Sequence, residues 1–388
     1  MPTVITTQRA TGNILQTRRT VDIARDIENV NVSDIPFVIL STRLRRRPVA
    51  DSLVRWVEDE YLPQVDAINN GAGYAAGDTV LTVDNGNYFK PGDLVYVTRT
   101  GETVRVTATT STTITVTRSW GAVAAAALVD NDELLIVGPA IAEGNSAPEP
   151  RTTLEVERQN YIQTFRTTYT LTDELGNDIT LLTEGDKDYQ RRKKLQEHLF
   201  GIERALFFGE KNEDLSSTSS PIRSMGGLRE WITTNVTDAG GTLSQTEWNT
   251  FLESGLRRGS SEKWFFAAPR IMTAISGFSE AVLRTRPEDE TFGVKVVDYI
   301  SPHGMVHLVM HRLFSESALS AGTNTESVDR KGFLVDMERI WLRVMADTFR
   351  RENIQNPDQL LVKEEYVTKL SVEVRNEKAH ALLKNVTG

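Results

Sequence analysis

The chain contains no cysteine. Disulfides, thiolate nucleophiles and cysteine-held zinc or iron–sulfur centres are therefore excluded. It also lacks an apolar run of the roughly 18 residues that a membrane-spanning helix needs. The longest such run, Ala122 to Val129, is short and alanine-rich. The opening residues, MPTVITTQRATGN, do not have the basic-then-apolar layout of a secretory signal. A protein made and used inside a cell is the expectation. Lysine is scarce in the first half, where Lys90 is the only one before Lys187. That half relies on arginine, whose planar fork suits ion pairs across interfaces. The phosphate-loop, HExxH and GxSxG patterns are all absent.

What is present is a chain of 388 residues with a net charge of −9. Such a length buries a substantial core and suggests two to three domains. The charge is uneven. Residues 1–50 hold eight arginines against four carboxylates, net +4, which leaves −13 for the remainder. An acidic bulk is a poor sequence-independent DNA binder. A basic arm on an acidic body reads better as a segment that docks onto another acidic body.

The stretch from Arg151 to Asn212 organises the rest. Its first half alternates through Leu154, Val156, Phe165, Tyr169 and Leu171, the period of a strand. Its second half changes period. Leu195, Leu199, Ile202 and Leu206 fall on one helical face, with charged residues from Arg191 to Arg204, Glu203 among them, covering the rest. Thr183 and Asp186 have capping-box spacing, and Gly209 is a plausible stop. A helix over 184–208 would be about 37 Å long. Gly201 inside it costs about 1 kcal/mol against alanine, so either packing holds the helix or another backbone approaches Gly201 closely.

Residues 1–47 have no sustained periodicity. Residues 49–62 read as extended, with Trp56 and Tyr61 as anchors. Between 65 and 140 the β-rich runs TVLTVDN, DLVYVTRT, ETVRVTAT, TTITVTRSW and ELLIVG alternate with turn signals at Asn85-Gly86, Pro91-Gly92, Thr100-Gly101 and Gly121. A small closed barrel or sandwich follows. Its few basic residues, Lys90, Arg99, Arg105 and Arg118, argue against a nucleic-acid groove. After the long helix a mixed region is expected. A capping box at Ser244 to Glu247 opens one helix, Trp264 to Ala268 forms a buried strand, and Pro269 starts the next helix. Residues 286–293 form an acidic loop. Further strands fit 293–300, 304–312, 333–344 and 366–375, giving an α+β domain.

Candidate chemistry is thin. His303, His307 and His311 have helical spacing for a metal, but their context is that of a strand. There they would stand about 13 Å apart per pair, half-exposed. His198 and His380 read as structural. The carboxylate runs Glu58-Asp59-Glu60, Glu288-Asp289-Glu290 and Glu364-Glu365 read as exposed charge, not as catalytic pairs. The DNG at Asp84 lacks the ladder of a calcium loop, and GAGYAAG at 71–77 lacks the flanking strand and helix of a dinucleotide site. No cofactor and no metal are expected.

Several phrases together resemble the major capsid proteins of tailed double-stranded-DNA phages. They are RRRPVADSLVRWVEDEYLP, NYIQTFRTTYTLT, the charged helix ending IERALFFGEKN, SMGGLREWI and, from Leu370 to Leu383, LSVEVRNEKAHALL. The resemblance implies an α+β fold of the Hong Kong 97 type with a long spine helix, here carrying an inserted all-β small barrel or sandwich. It implies an N-terminal arm (1–47), an extension loop (48–64 and 141–172) interrupted by the β-domain (65–140), a peripheral domain (173–221 and 341–388, spine helix 184–208) and an axial domain (222–340). It further implies hexamers and pentamers in an icosahedral shell around packaged double-stranded DNA, with portal and decoration proteins as partners, in a virion assembled in the host cytoplasm. Arg18, Arg19, Arg25, Arg43, Arg45, Arg46, Arg47 and Trp56 are the candidate subunit contacts. Some relatives join a lysine of the extension loop covalently to a neighbour's asparagine. With only Lys90 available there, no such cross-link is expected. The alternatives are a bacterial encapsulin-type compartment and, from another class, a carbohydrate- or nucleotide-processing enzyme with a β-accessory domain.

Overall fold

The computed structural model describes residues 35–38, 45–144, 150–177, 186–216, 220–278, 296–319 and 327–387. The chain divides into two compact units, one of residues 1–56 with 158–388 and the other of Val57–Glu157. The first unit opens on a short strand, β1 (Arg46–Pro48), and a second, β2 (Leu53–Glu58). The second unit is then inserted.

That unit is built from β3 (Val65–Ala67), β4 (Val80–Thr82), β5 (Asp93–Val97), β6 (Thr103–Thr109), β7 (Thr113–Thr117) and β8 (Glu133–Pro139). The strand order is β3-β8-β5-β6-β7-β4. Just beyond β3 and β4 the two edges meet in an antiparallel bridge between Ile68 and Val83, with Asn69 N–H donating to Thr82 O at 3.0 Å. The sheet thus curls closed, which removes its open edges. Alternate residues Val95, Val97, Val104, Val106, Ile114 and Val116 fill the inside. Gly86 is required by packing, since a Cβ there would lie 2.2 Å from Thr110 O. The basic residues are largely engaged within the unit. Arg118 clamps the fully buried Glu102 at 2.7 Å, and Arg99 pairs with Asp132.

The first unit resumes with β9 (Val156–Tyr161), which pairs with β2 as a two-stranded ribbon, and β10 (Gln163–Thr172). The helix α1 follows over Asp186–Phe208, so Thr183 and its cap lie outside the described residues. Its buried stripe is Ile202, Leu206 and Phe207, with Leu199 at the margin. Gly209 ends it, with its N–H donating to Ala205 O at 2.9 Å. Among the described residues nothing lies within 4 Å of a Cβ placed on Gly201, so of the two alternatives it is packing of the buried stripe that holds the helix. In the isolated subunit, Gly201→Ala should raise stability by about 0.5–1 kcal/mol, read as a shift in urea midpoint. A loss would reveal a close approach there.

Next come β11 (Asn212–Asp214), β12 (Ile222–Ser224) and β13 (Val236–Gly241). Helix α2 (Gln245–Leu256) starts at Ser244, whose side chain accepts from Glu247 N–H while Glu247 reaches back to Ser244 N–H, the expected capping box. Strand β14 (Glu262–Ala267) and helix α3 (Pro269–Ser276), with Pro269 in its first turn, also match expectation. The buried Lys263 of β14 donates to the carbonyls of Gly255 and Arg258 at 2.6 Å each, holding the end of α2. Then follow β15 (Val296–Ser301), β16 (Gly304–Met310), β17 (Gly332–Val335), β18 (Ile340–Arg351), β19 (Leu361–Val374) and β20 (Ala381–Val386).

Beside the two-stranded pair β11-β12, two larger sheets result among the described residues of the first unit, with orders β1-β18-β19-β10 and β13-β20-β17-β14-β16-β15. The single strand expected over 333–344 is split between them. Asp336 accepts from Glu338 N–H at 3.0 Å and Ser260 N–H at 2.9 Å, and the turn it caps hands the chain from one sheet to the other. The last strand, β20, was not expected from the sequence. The acidic loop at 286–293 lies outside the described residues. One core, fed by α1 and by both sheets, joins Phe207, Phe266, Phe333, Leu342 and Val372.

Candidate functional site

Among the described residues no group of three or more acidic, histidine or cysteine side chains could hold a metal. The notable constellations are ionic and concern how chain segments are held.

The root of the N-terminal arm is the first. Phe37 is fully buried, its ring 4.8 Å from that of Phe207 and 5.3 Å from that of Phe266. The Glu203 carboxylate accepts the N–H groups of Phe37 at 2.9 Å and Val38 at 2.7 Å, and lies 2.7 Å from His311 Nε2. Glu203, read from sequence as part of the charged face, is completely buried. It sits in the i, i+4, i+7 row with Leu199 and Leu206. A carboxylate in such a row signals a buried polar partner, and that signal was there to be read.

The second is the arginine run. Arg46 to Pro48 add a parallel edge strand to β18, Arg46 pairing with Asp347. Arg45 and Arg47 lie over the Trp341 ring, at 5.4 and 3.9 Å from its centre. Arg18, Arg19, Arg25 and Arg43 lie outside the described residues. Trp56 is buried in its own chain, 5.2 Å from Trp231 and beside Val54 and Ile162. Tyr61, expected as an anchor, is 99% exposed. It follows the end of β2, where none of the described residues covers it.

The third corrects the reading of Glu364-Glu365 as exposed charge. Both are fully buried on β19. Their side chains point to opposite faces of the sheet, and each finds its own cations. Glu364 accepts from Arg191 Nη2 at 2.7 Å and Nε at 2.9 Å, and Lys187 stands at 3.2 Å. The Tyr169 hydroxyl also donates to it. The Arg191 guanidinium foremost holds the Glu364 carboxyl down at about 2. The same carboxylate raises the Tyr169 hydroxyl, together with burial, the larger cause. Glu365 is held by Arg166 at 2.6 Å and Arg351 at 3.0 Å. By contrast, Asp59 and Glu60 are exposed as expected.

The histidines occupy separate environments, and two of the three in the 303–311 series are buried instead of half-exposed. His303 is exposed in a turn. His307 stands between Asp298 at 2.5 Å and Glu262 at 2.6 Å. His311 stacks on Phe314 at 4.0 Å beside Glu203. His198 bridges Thr167 and Thr368, and burial lowers it. His380 is pushed down to about 4 by burial, its Nδ1 accepting Asp336 N–H at 3.1 Å.

Comparison with known proteins gives these ionic anchors a setting. The major capsid protein of Pseudomonas phage PaMx41 is 32% identical over 136 residues, which are 35% of this chain and 32% of that relative. The alignment thus spans about a third of the relative's length. The capsid of a native GTA particle is similar over 96% of this chain and 97% of its own, at 9% identity and a TM-score of 0.50, a likeness of fold. The SrpI encapsulin of Synechococcus elongatus PCC 7942 is similar over 60% of this chain and 78% of its own, at 12% identity and a TM-score of 0.43. The profile of the SU10 major capsid protein family matches residues 4–387, nearly the whole sequence. The chain belongs to the SU10 major capsid protein family and is a phage capsid protein.

Proposed function

We propose that this chain self-assembles into the icosahedral shell enclosing a phage's double-stranded DNA genome, and that its work is assembly, not catalysis. The observation that carries this is the family match, which runs through both compact units. In this reading the β2–β9 ribbon belongs to the extension loop (48–64 and 141–172), whose sequence the inserted β-domain (65–140) interrupts. α1 is the spine of a peripheral domain (173–221 and 341–388), and 222–340 is the axial domain around capsomer axes. The arm (1–47) runs from the Phe37 root to neighbouring subunits, with Arg18, Arg19, Arg25 and Arg43 as its contacts. Hexamers and pentamers form the shell, portal and decoration proteins complete the virion, and assembly takes place in the host cytoplasm. Nuclease treatment of purified shells tests the contents. Protected double-stranded DNA is expected, whereas shells holding only enzyme cargo would favour an encapsulin-type compartment.

Two further results follow from the reading. Replacing residues 68–140 by a short flexible linker should leave the first unit folded and weaken the shell, because the β-unit carries its own closed core. Loss of soluble folding in that variant would contradict the division. Shells boiled in denaturant should run as single subunits on a gel, since Lys90 lies within the β-unit. Covalent ladders would overturn that expectation.

A further inference from the structure

Three guanidinium groups converge on one indole at the edge of the four-stranded sheet, and a fourth, that of Arg343, stands on the same face. Arg45, Arg47 and Arg375 lie 5.4, 3.9 and 4.8 Å from the centre of the Trp341 ring. Arg47 stands beside Arg343 across the β1–β18 pair, and Trp341 stands opposite Glu373 across β18–β19. Residues paired in this way share one face of a sheet. Arg343 and Arg375 both donate to Glu373, which is fully buried beneath them. Among the described residues, Arg45 and Arg47 have the indole but no carboxylate. The patch therefore carries four positive charges against one negative.

Such a cluster needs an anion, because guanidiniums gathered around one ring repel one another. A guanidinium lying on an aromatic face is held by it while its N–H edge remains free to fork onto an oxyanion. Phosphate oxygens fit that fork. β1 is an edge strand exposed along its whole length, and Arg45 to Arg47 run into and along it. An evenly charged, extended polyanion matches a track of this kind better than a short acidic loop does. Guanidinium forks of this kind grip phosphate oxygens and carry no base-edge readout, so the recognition inferred is of the backbone. We infer that the Trp341 cluster, with Arg45, Arg47, Arg343 and Arg375, is a sequence-independent contact for the phosphate backbone of duplex DNA. The inference rests on the reading of the chain as a shell around DNA and places this sheet face toward the genome. The net charge of −9 does not oppose it, since a local field several kT deep forms over a patch whatever the total.

The test uses the full-length chain as nuclease-treated, unassembled subunits. They are titrated with a short fluorescein-labelled duplex while salt is raised from about 50 to about 200 mM. Wild type should bind with a steep salt dependence. In the triple variant Arg45→Gln, Arg47→Gln, Arg375→Gln the slope of log K against log salt should fall by about 2.7, with at least a tenfold loss of affinity at low salt, at about 0.9 per phosphate contact. The corresponding lysine variant should keep most of the slope. The double variant Arg45→Gln, Arg47→Gln alters only the exposed edge and should lose about 1.8, so misfolding of the triple would not blunt the test. An unchanged slope in the glutamine variants, or no binding by wild type, would overturn the inference. So would competition by polyglutamate equal to that of unlabelled duplex, which would identify an acidic protein partner instead. Microscopy of each chain under assembly conditions keeps the two levels apart. Normal shells with unchanged DNA affinity in the variants would sink the inference alone, whereas no shells from wild type would sink the reading beneath it.

Discussion

Replacing Phe37 with alanine should lower the stability of the isolated subunit by about 3–5 kcal/mol, the usual cost of emptying a buried phenylalanine site. The ring is fully buried among Phe207 and Phe266, whose positions are fixed by α1 and β14. The site cannot readily collapse, because Phe207 also packs on Phe314 at 5.0 Å and Phe333 at 5.1 Å. Below the ring, the Glu203 carboxylate is satisfied by the Phe37 and Val38 amides and by His311. Glu203→Leu should therefore also destabilise, since it leaves buried donors unpaired at about 1–3 kcal/mol each. Urea unfolding with an unchanged slope would give both values. A Phe37→Ala midpoint equal to wild type would mean that the arm root is not part of the subunit's own core. The root at residues 35–38 packs within its own subunit.

The second large effect concerns Glu364. Glu364→Gln should cost about 2–4 kcal/mol near neutral pH. That is somewhat below the figure for breaking a fully buried pair, because Arg191 keeps a fifth of its side chain in water. The pH dependence has a definite sign. The folded carboxyl titrates at about 2 against an ordinary value of 4.5. Its contribution is therefore present above about pH 4.5 and is lost as pH falls through about 2. The gap between wild type and Glu364→Gln should be full at pH 6 and close towards pH 2, while other acid-labile groups cancel in the comparison. A gap that stays constant over that range would contradict the ion-pair account.

Local chemistry was legible in the sequence. The Ser244–Glu247 capping box, Pro269 at the head of α3 and the alternation through Phe165, Tyr169 and Leu171 each depend on neighbours within a few residues. Long-range pairing was not. Glu364 reads as one more charge in a run because Arg191 is 173 residues away in the chain. Glu203 reads as surface because its partners, Phe37 and His311, are 166 and 108 residues away. The break at Asp336 was hidden for the same reason. Met337, Ile340 and Leu342 look like a continuation of β17 until Ser260 supplies the second amide that fixes the turn. Tyr61 was misjudged in the opposite direction. An aromatic in an extended stretch suggests an anchor, but among the described residues Tyr61 is left exposed.

The central claim is that copies of this chain close into a shell. Cryo-electron microscopy of the full-length protein, purified from expressing cells without further partners, tests it directly. The account predicts closed particles of icosahedral symmetry, built from hexamers and pentamers, with the β2–β9 ribbon of each subunit reaching the next. Monomers or small discrete oligomers that never close, under conditions where the subunit is folded, would contradict it.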